Sequence, residues 1–151
     1  MSVPVDLGPI VQVALVVSDI ETTARAWAKL LGRPVPDVVL TDGEVLAHTR
    51  YCGEPTPARA KLAFFRFGTL SVELIEPVGG PSTWRDQLVA HGDSLHHVAF
   101  RIQNMPQVLE ALDDQGVPAI QQGDYTGGRN AYCDGQERLG LVLELLEDDK
   151  T

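Results

Sequence analysis

An internal repeat narrows what this chain can fold into more than any other feature of it. Laid without gaps on Ile10-Val11-Gln12-Val13-Ala14-Leu15, the run Leu95-His96-His97-Val98-Ala99-Phe100 shares its Val and Ala and sets His97 opposite Gln12. A second pair behaves alike. Residues 70–76 match 141–147, with Leu70/Leu141, Glu73/Glu144, Leu74/Leu145 and Glu76/Glu147 identical. Self-similarity of this kind means one supersecondary unit used twice. Each duplicated run reads as a strand with one polar residue on an otherwise apolar face. The four exceptions are Gln12, Glu73, His97 and Glu144.

Side chains along a strand alternate faces, so Glu144 shares a face with Val142 and Leu146, and Glu73 with Ser71 and Ile75. Burying a carboxylate there costs on the order of several kcal/mol unless a cation meets it, and two close together cost more. A divalent ion is the simplest remedy. One imidazole nitrogen and three oxygens suit Zn, Ni, Co, Mn or Fe(II), with open positions for water or substrate. The plainer account is that Glu73/Glu76 and Glu144/Glu147 are strand-end pairs pointing into water. The same breach repeated in both halves favours the ion.

Composition excludes some partners. With 151 residues and 44% hydrophobic content, the chain makes one compact domain or two fused half-size modules. Its formal net charge of −9 argues against nucleic acid and against an anionic membrane, both of which need a basic face. No basic segment followed by a long apolar run stands at the start, and no run reaches transmembrane length, so a cytoplasmic protein is expected. Cys52 and Cys133 lack CxxC spacing and read as reduced structural thiols.

Taken in order, residues 1–8 read as a loose arm and 10–17 as a strand. Ser18 with Glu21 looks like a capping box for a helix on the stripe Ile20, Ala24, Trp27 and Leu31, ended by Gly32 and Pro34. Trp27 belongs to that stripe as core. A strand over about 38–48 with a turn at Asp42-Gly43, a loop over 51–60, and strands over 61–67 and 70–76 follow. Pro77-Val78-Gly79-Gly80-Pro81 is the linker between modules, and Ser82 or Thr83 caps a short helix over 84–89. The unit then repeats: strand 95–102, a helix from cap Asn104 to Gly116, and strands near 119–122, 130–133 and 141–146. The tail 147–151 is expected to be solvated.

These residues resemble the vicinal oxygen chelate superfamily, which gathers glyoxalases, extradiol dioxygenases, bleomycin-resistance proteins and methylmalonyl-CoA epimerases. The resemblance implies an α+β fold, a single domain over 1–151. Two tandem βαβββ modules, about 9–77 and 94–147, would form a curved, cup-like mixed sheet with helices outside. It implies metal ligands on the first and last strand of each module, which are Gln12, Glu73, His97 and Glu144 here. It further implies a metal-dependent isomerase, epimerase or lyase that removes a proton α to a carbonyl through an enolate or enediolate. Glu144 or Glu73 would carry the proton, Glu144 being the first choice because Val142 and Leu146 wall it. The substrate is a small molecule, and such members commonly pair, so a homodimer is expected.

The run from Glu73-Leu74-Ile75-Glu76-Pro77 to His97 looks most like the epimerases, whereas Gln, Glu, His and Glu look like zinc-preferring glyoxalase I. Gln12 in place of a histidine leaves no two-histidine, one-carboxylate triad for an oxygenase. Lys61 stands near the place where epimerases carry a second acidic residue. The alternative is a non-catalytic small-molecule-binding or antibiotic self-resistance protein using Trp84, Tyr125 and Phe65. By strand alternation His96 points away from His97, as a packed or supporting residue. His48 and His91 read as surface residues. Gly127-Gly128-Arg129 reads as a hairpin turn, with an anion pocket as the rarer option.

Overall fold

The computed structural model describes residues 3–150; residues 1, 2 and 151, the ends of the expected arm and tail, lie outside them. The first half comprises β1 (Ile10–Val16), α1 (Ile20–Leu31), β2 (Val39–Leu40), α2 (Glu44–Ala47), β3 (Arg50–Tyr51), β4 (Glu54–Pro55), β5 (Arg59–Phe67) and β6 (Leu70–Val78). After α3 (Thr83–His91) come β7 (Ser94–Arg101), α4 (Met105–Asp114), β8 (Ala119–Tyr125), β9 (Gly128–Cys133), α5 (Gln136–Leu139) and β10 (Val142–Asp148). The strands of the described residues form one curled mixed sheet in the order β2-β5-β6-β1-β7-β10-β9-β8-β3-β4. No helix among them is long and apolar enough to cross a membrane.

The sequence repeat reappears as hydrogen-bond register. β1 runs parallel to β6 with Gln12 opposite Ser71 and Ala14 opposite Glu73. β7 runs parallel to β10 with His97 opposite Val142 and Ala99 opposite Glu144. Every residue in the second set is the repeat mate of its counterpart in the first. The two units join where β1 and β7 pair antiparallel, which brings all four strands to the centre of the sheet.

α1 and α4 cover the convex side. Ile20, Ala24 and Ala28 of α1 pack on Ala63, Phe65 and Leu74, and Met105 and Leu112 of α4 pack on Ala131, Leu143 and Leu145. Each fully buried aliphatic chain such as Ile20 or Leu74 contributes roughly 1.5–3 kcal/mol. The second glutamate of each repeated strand, three residues beyond the first, faces these helices. Glu76 Oε1 accepts from Ile20 N–H at 3.0 Å and Glu147 Oε2 from Met105 N–H at 3.3 Å, so each carboxylate meets the positive end of its unit's helix. The expected capping box of Ser18 and Glu21 does not form. Asp19 is the cap, accepting from Thr22 N–H and Oγ1–H, while Ser18 N–H donates to Asp93. Asn104 does precede α4, but in a left-handed conformation with no side-chain cap bond, and Glu147 serves instead.

The first half departs from a plain βαβββ unit between residues 42 and 58. The expected strand over 38–48 is only β2 followed by α2, and the expected loop over 51–60 contains β3 and β4. β3 pairs with β8 of the other half, Arg50 opposite Gln122 and Tyr51 opposite Gln121. Cys52 N–H donates to Ile120 O, Thr56 Oγ1–H to Pro81 O, and Tyr51 OH to the Asp86 carboxylate. This strap from the first unit closes the far edge of the second. α5, between β9 and β10, was not foreseen.

Candidate active site

The concave face of the four central strands forms the floor of a cup of about 570 Å³. Alternation places Gln12 with Ala14 and Val16 on that face, Glu73 with Ile75, His97 with Ala99, and Glu144 with Val142. Below them Ala14, Val16, Ile75, Val142, Trp84 and Tyr132 pack as a closed core. Three oxygens converge on one nitrogen. From His97 Nε2, Glu144 Oε1 is 3.1 Å away, Gln12 Oε1 3.4 Å and Glu73 Oε1 3.8 Å. His97 is 0% exposed, Glu144 4% and Glu73 6%.

The two carboxylates differ in their surroundings. Burial, and then the negative charge of Glu144, push Glu73 well above the ordinary carboxylate range. Burial pushes Glu144 the same way. The electrostatic attraction of His97, with hydrogen bonds from His97, Asn130 and Tyr132, outweighs that push and holds Glu144 below its usual value. Asn130 Nδ2–H donates to Glu144 Oε2 at 3.0 Å, so both Glu144 oxygens are engaged. Tyr132 OH accepts from Trp84 Nε1–H at 3.1 Å, and its ring stands edge-on to His97. Burial, with His97 next, drives His96 down to about 3, so His96 is a neutral ring.

Donors that share a first-row divalent ion at about 2.1 Å stand roughly 3.0–3.4 Å apart. Glu144 and Gln12 meet that spacing from His97 Nε2, and Glu73 lies slightly beyond it. Among the described residues no group of three or more His, Cys, Asp or Glu side chains has ion-holding spacing, and Glu73, at 3.8 Å from His97 Nε2, is the most distant of the three oxygen donors. The chemistry of the set fits an ion: two buried carboxylates repel each other beside one imidazole, and the fourth donor is a neutral amide.

Several expectations change here. Phe65 lies under α1 against Trp27, because one step along β5 reverses the face; Leu62 and Phe64 line the cup instead, with Trp84 and Tyr125 as expected. Lys61 also faces the convex side, 3.3 Å from Glu76 Oε2, and has no place among the cup residues. Residues 126 and 127 make the hairpin turn. Arg129 is committed to Glu147 at 2.8 Å and Asp149 at 2.5 Å, which removes the anion-pocket option. His91 ends α3 in solvent, while His48 Nδ1 meets Asp124 Oδ2 at 2.9 Å and ties the strap to β8. His96 does not point away from His97: their Nδ1 atoms are 2.7 Å apart. Asn130 and Tyr132 were missed, although their alternation along β9 was a readable signal.

A duplicated unit closed into a curled sheet, with polar residues of the central strands meeting on its concave face, is the vicinal oxygen chelate architecture. The chain belongs to the Glyoxalase/Bleomycin resistance protein/Dioxygenase superfamily, whose family model matches residues 11–133. It is 34% identical over 92 residues to the uncharacterized protein YqjC of Bacillus subtilis (strain 168), a stretch that covers 59% of this chain and 66% of that protein. The chain thus spans just under two thirds of that relative's length. Among solved structures, a methylmalonyl-CoA epimerase of Streptomyces coelicolor in complex with 2-nitronate-propionyl-CoA superimposes with a TM-score of 0.65 at 17% identity, over 97% of this chain and 98% of that one. A hypothetical protein of Bacillus halodurans C-125 gives 0.65 at 17%, over 95% and 96%. At this identity the likeness is one of fold.

Proposed function

We propose that the cup is a metal-dependent active site that takes a proton from a carbon α to a carbonyl, in an isomerase, epimerase or lyase reaction. The observation that carries this reading is the convergence of the Gln12, Glu73 and Glu144 oxygens on His97 Nε2 at the floor of the cup. Gln12, Glu73, His97 and Glu144 would hold one divalent ion; when bound, it supplies Lewis acidity toward a substrate carbonyl oxygen. A buried carboxylate beside the reacting carbon takes the proton. Glu144 is engaged at both oxygens by His97 and Asn130, whereas Glu73 approaches the same His97 Nε2 only at 3.8 Å. That difference, invisible in sequence, puts Glu73 ahead of Glu144 as the proton acceptor and leaves Glu144 as the better anchored ligand.

The mouth of the cup speaks to the substrate. Asp42, Asp124 and Asp148 line it against one arginine, Arg101, whose Nη1 is 2.6 Å from Asp148. Opposite lies an apolar wall of Val39, Leu40, Leu62 and Phe64. A neutral or cationic carbonyl compound with an apolar side suits these charges better than an ester carrying a phosphorylated tail. The same apolar wall favours a second reading, a binder of aromatic drugs that performs no chemistry. We also place the chain in the cytoplasm as a homodimer, on its two free thiols and the open edge of β2.

Metal analysis of the purified protein, with a screen for exchange of α-protons into deuterated solvent, tests the reading. About one equivalent of divalent ion and exchange on at least one carbonyl compound are expected. His97→Ala should lose the ion. Ion-free protein that binds aromatic ligands without exchange establishes the second reading instead.

A further inference from the structure

β7 is bulged where it carries its two histidines. Along β1, Ala14 pairs with His97 and Leu15 with Leu95, so His96 has no partner across the ladder. A bulge breaks the alternation of faces and re-aims a side chain. The two imidazoles, His97 0% and His96 1% exposed, meet edge to face with Nδ1 2.7 Å from Nδ1. At its other nitrogen, His96 Nε2 is 3.2 Å from Thr83 Oγ1. Thr83 N–H in turn donates to the buried Gln121 Oε1 at 2.8 Å, which fixes the start of α3 against β8.

We infer that His96 and Thr83 are positioning residues that set which ring nitrogen of His97 is free to bind an ion, an inference that rests on the metal-dependent reading of the cup. Two ring nitrogens at 2.7 Å share one proton, one donating and the other accepting. When His97 Nε2 gives its lone pair to an ion, its proton sits on Nδ1 and is donated to His96 Nδ1. His96 then carries its own proton on Nε2 and donates to Thr83 Oγ1. Without an ion, His97 Nε2–H donates to Glu144 Oε1 at 3.1 Å and the row reverses: His96 Nδ1–H donates to His97, and the Thr83 hydroxyl donates to His96 Nε2. One proton leaves at His97 Nε2 and one arrives at His96 Nε2, both exchanged with water, so each ring stays neutral. A hydroxyl serves both states because it accepts or donates by rotating. Partners of this kind orient a ligating histidine and typically change ion affinity by about 10–100-fold when removed.

Long-range proton–nitrogen spectra of the full-length ¹⁵N-labelled chain, titrated with Zn²⁺, test this directly. Zinc should move the His97 proton from Nε2 to Nδ1 and the His96 proton from Nδ1 to Nε2, both at the same stoichiometry. Thr83→Ser should keep the coupled change and the affinity, whereas Thr83→Val should lower zinc affinity about tenfold. Should Thr83→Val fail to fold, the wild-type spectra decide the matter alone. Zinc on His97 with the His96 proton unmoved, or Thr83→Val binding as tightly as wild type, overturns the inference and leaves the metal reading intact. Failure of the wild-type chain to bind zinc at His97 overturns the inference, and purified protein free of any divalent ion overturns the reading it rests on.

Discussion

Glu73 and Glu144 hold equivalent places in the two units, yet only Glu144 is tethered at both oxygens, by His97 and Asn130. Glu73→Gln should therefore cost about two or more decades in α-proton exchange at saturating ion while ion affinity falls less. Glu144→Gln should show the opposite balance. Exchange rates and ion affinities of both variants check this, and wild-type exchange in Glu73→Gln would return the base to Glu144. At this scale the sequence named Gln12, Glu73, His97 and Glu144 because each breaks an apolar face twice over. It misplaced His96 and Phe65 for opposite reasons. A bulge cancels alternation at His96, whereas at Phe65 alternation holds and decides between two adjacent phenylalanines.

The helices are set by the same duplicated strands that carry the site. Glu76 and Glu147 look like solvated strand ends until the helices are in place, when each meets the first N–H of its unit's helix. The N-terminus of α1 shows how local signals compete. Ser18 and Asp19 are both good caps, and Asp19 prevails because its carboxylate takes two bonds from Thr22 while Ser18 N–H is claimed by Asp93. Asp19→Ala should lower Tm by about 2–4 °C, and Ser18→Ala by less than about 1–2 °C, in thermal unfolding followed by circular dichroism. The strap makes a separate prediction. The exposed His48 and Asp124 pair contributes no more than about 1 kcal/mol, so His48→Ala should leave global stability nearly unchanged. Faster hydrogen exchange at the amides of α2 is the expected sign of a loosened strap.

At the scale of the molecule, the buried Cys133 ties stability to alkaline pH. Burial raises its thiol from 9.0 to about 12, so the native state keeps a proton that the unfolded chain gives up. Its contribution is intact below pH 9 and is lost as pH climbs toward 12, at up to roughly 1.4 kcal/mol per pH unit. Urea midpoints at pH 8 and pH 10.5 should fall further for wild type than for Cys133→Ala. Iodoacetamide at pH 8 should label the exposed Cys52 and spare Cys133. In the proposed homodimer the seam is the edge strand β2, whose outer side has no strand partner among the described residues. Light scattering at micromolar concentration should give twice the 16.4 kDa chain mass, and a monomer at every concentration removes the dimer.

By itself the sequence determined the duplicated unit, the order of its long strands and of α1, α3 and α4, and the four polar residues of the cup, because repetition and period-two alternation are local properties of a chain. The register of the ladders then followed the repeat residue for residue. Only the tertiary structure decided that residues 42–58 cross to the other unit, that Asn130 tethers Glu144, and that a bulge turns His96 onto His97. Each of those rests on partners distant in sequence, Gln121 and Gln122 for the strap or the Ala14-Leu15 step of β1 for the bulge. No pattern within a single strand records where the neighbouring strand gains or skips a residue. The free energy that fixes such a choice comes from packing and hydrogen bonds made after the strands have met.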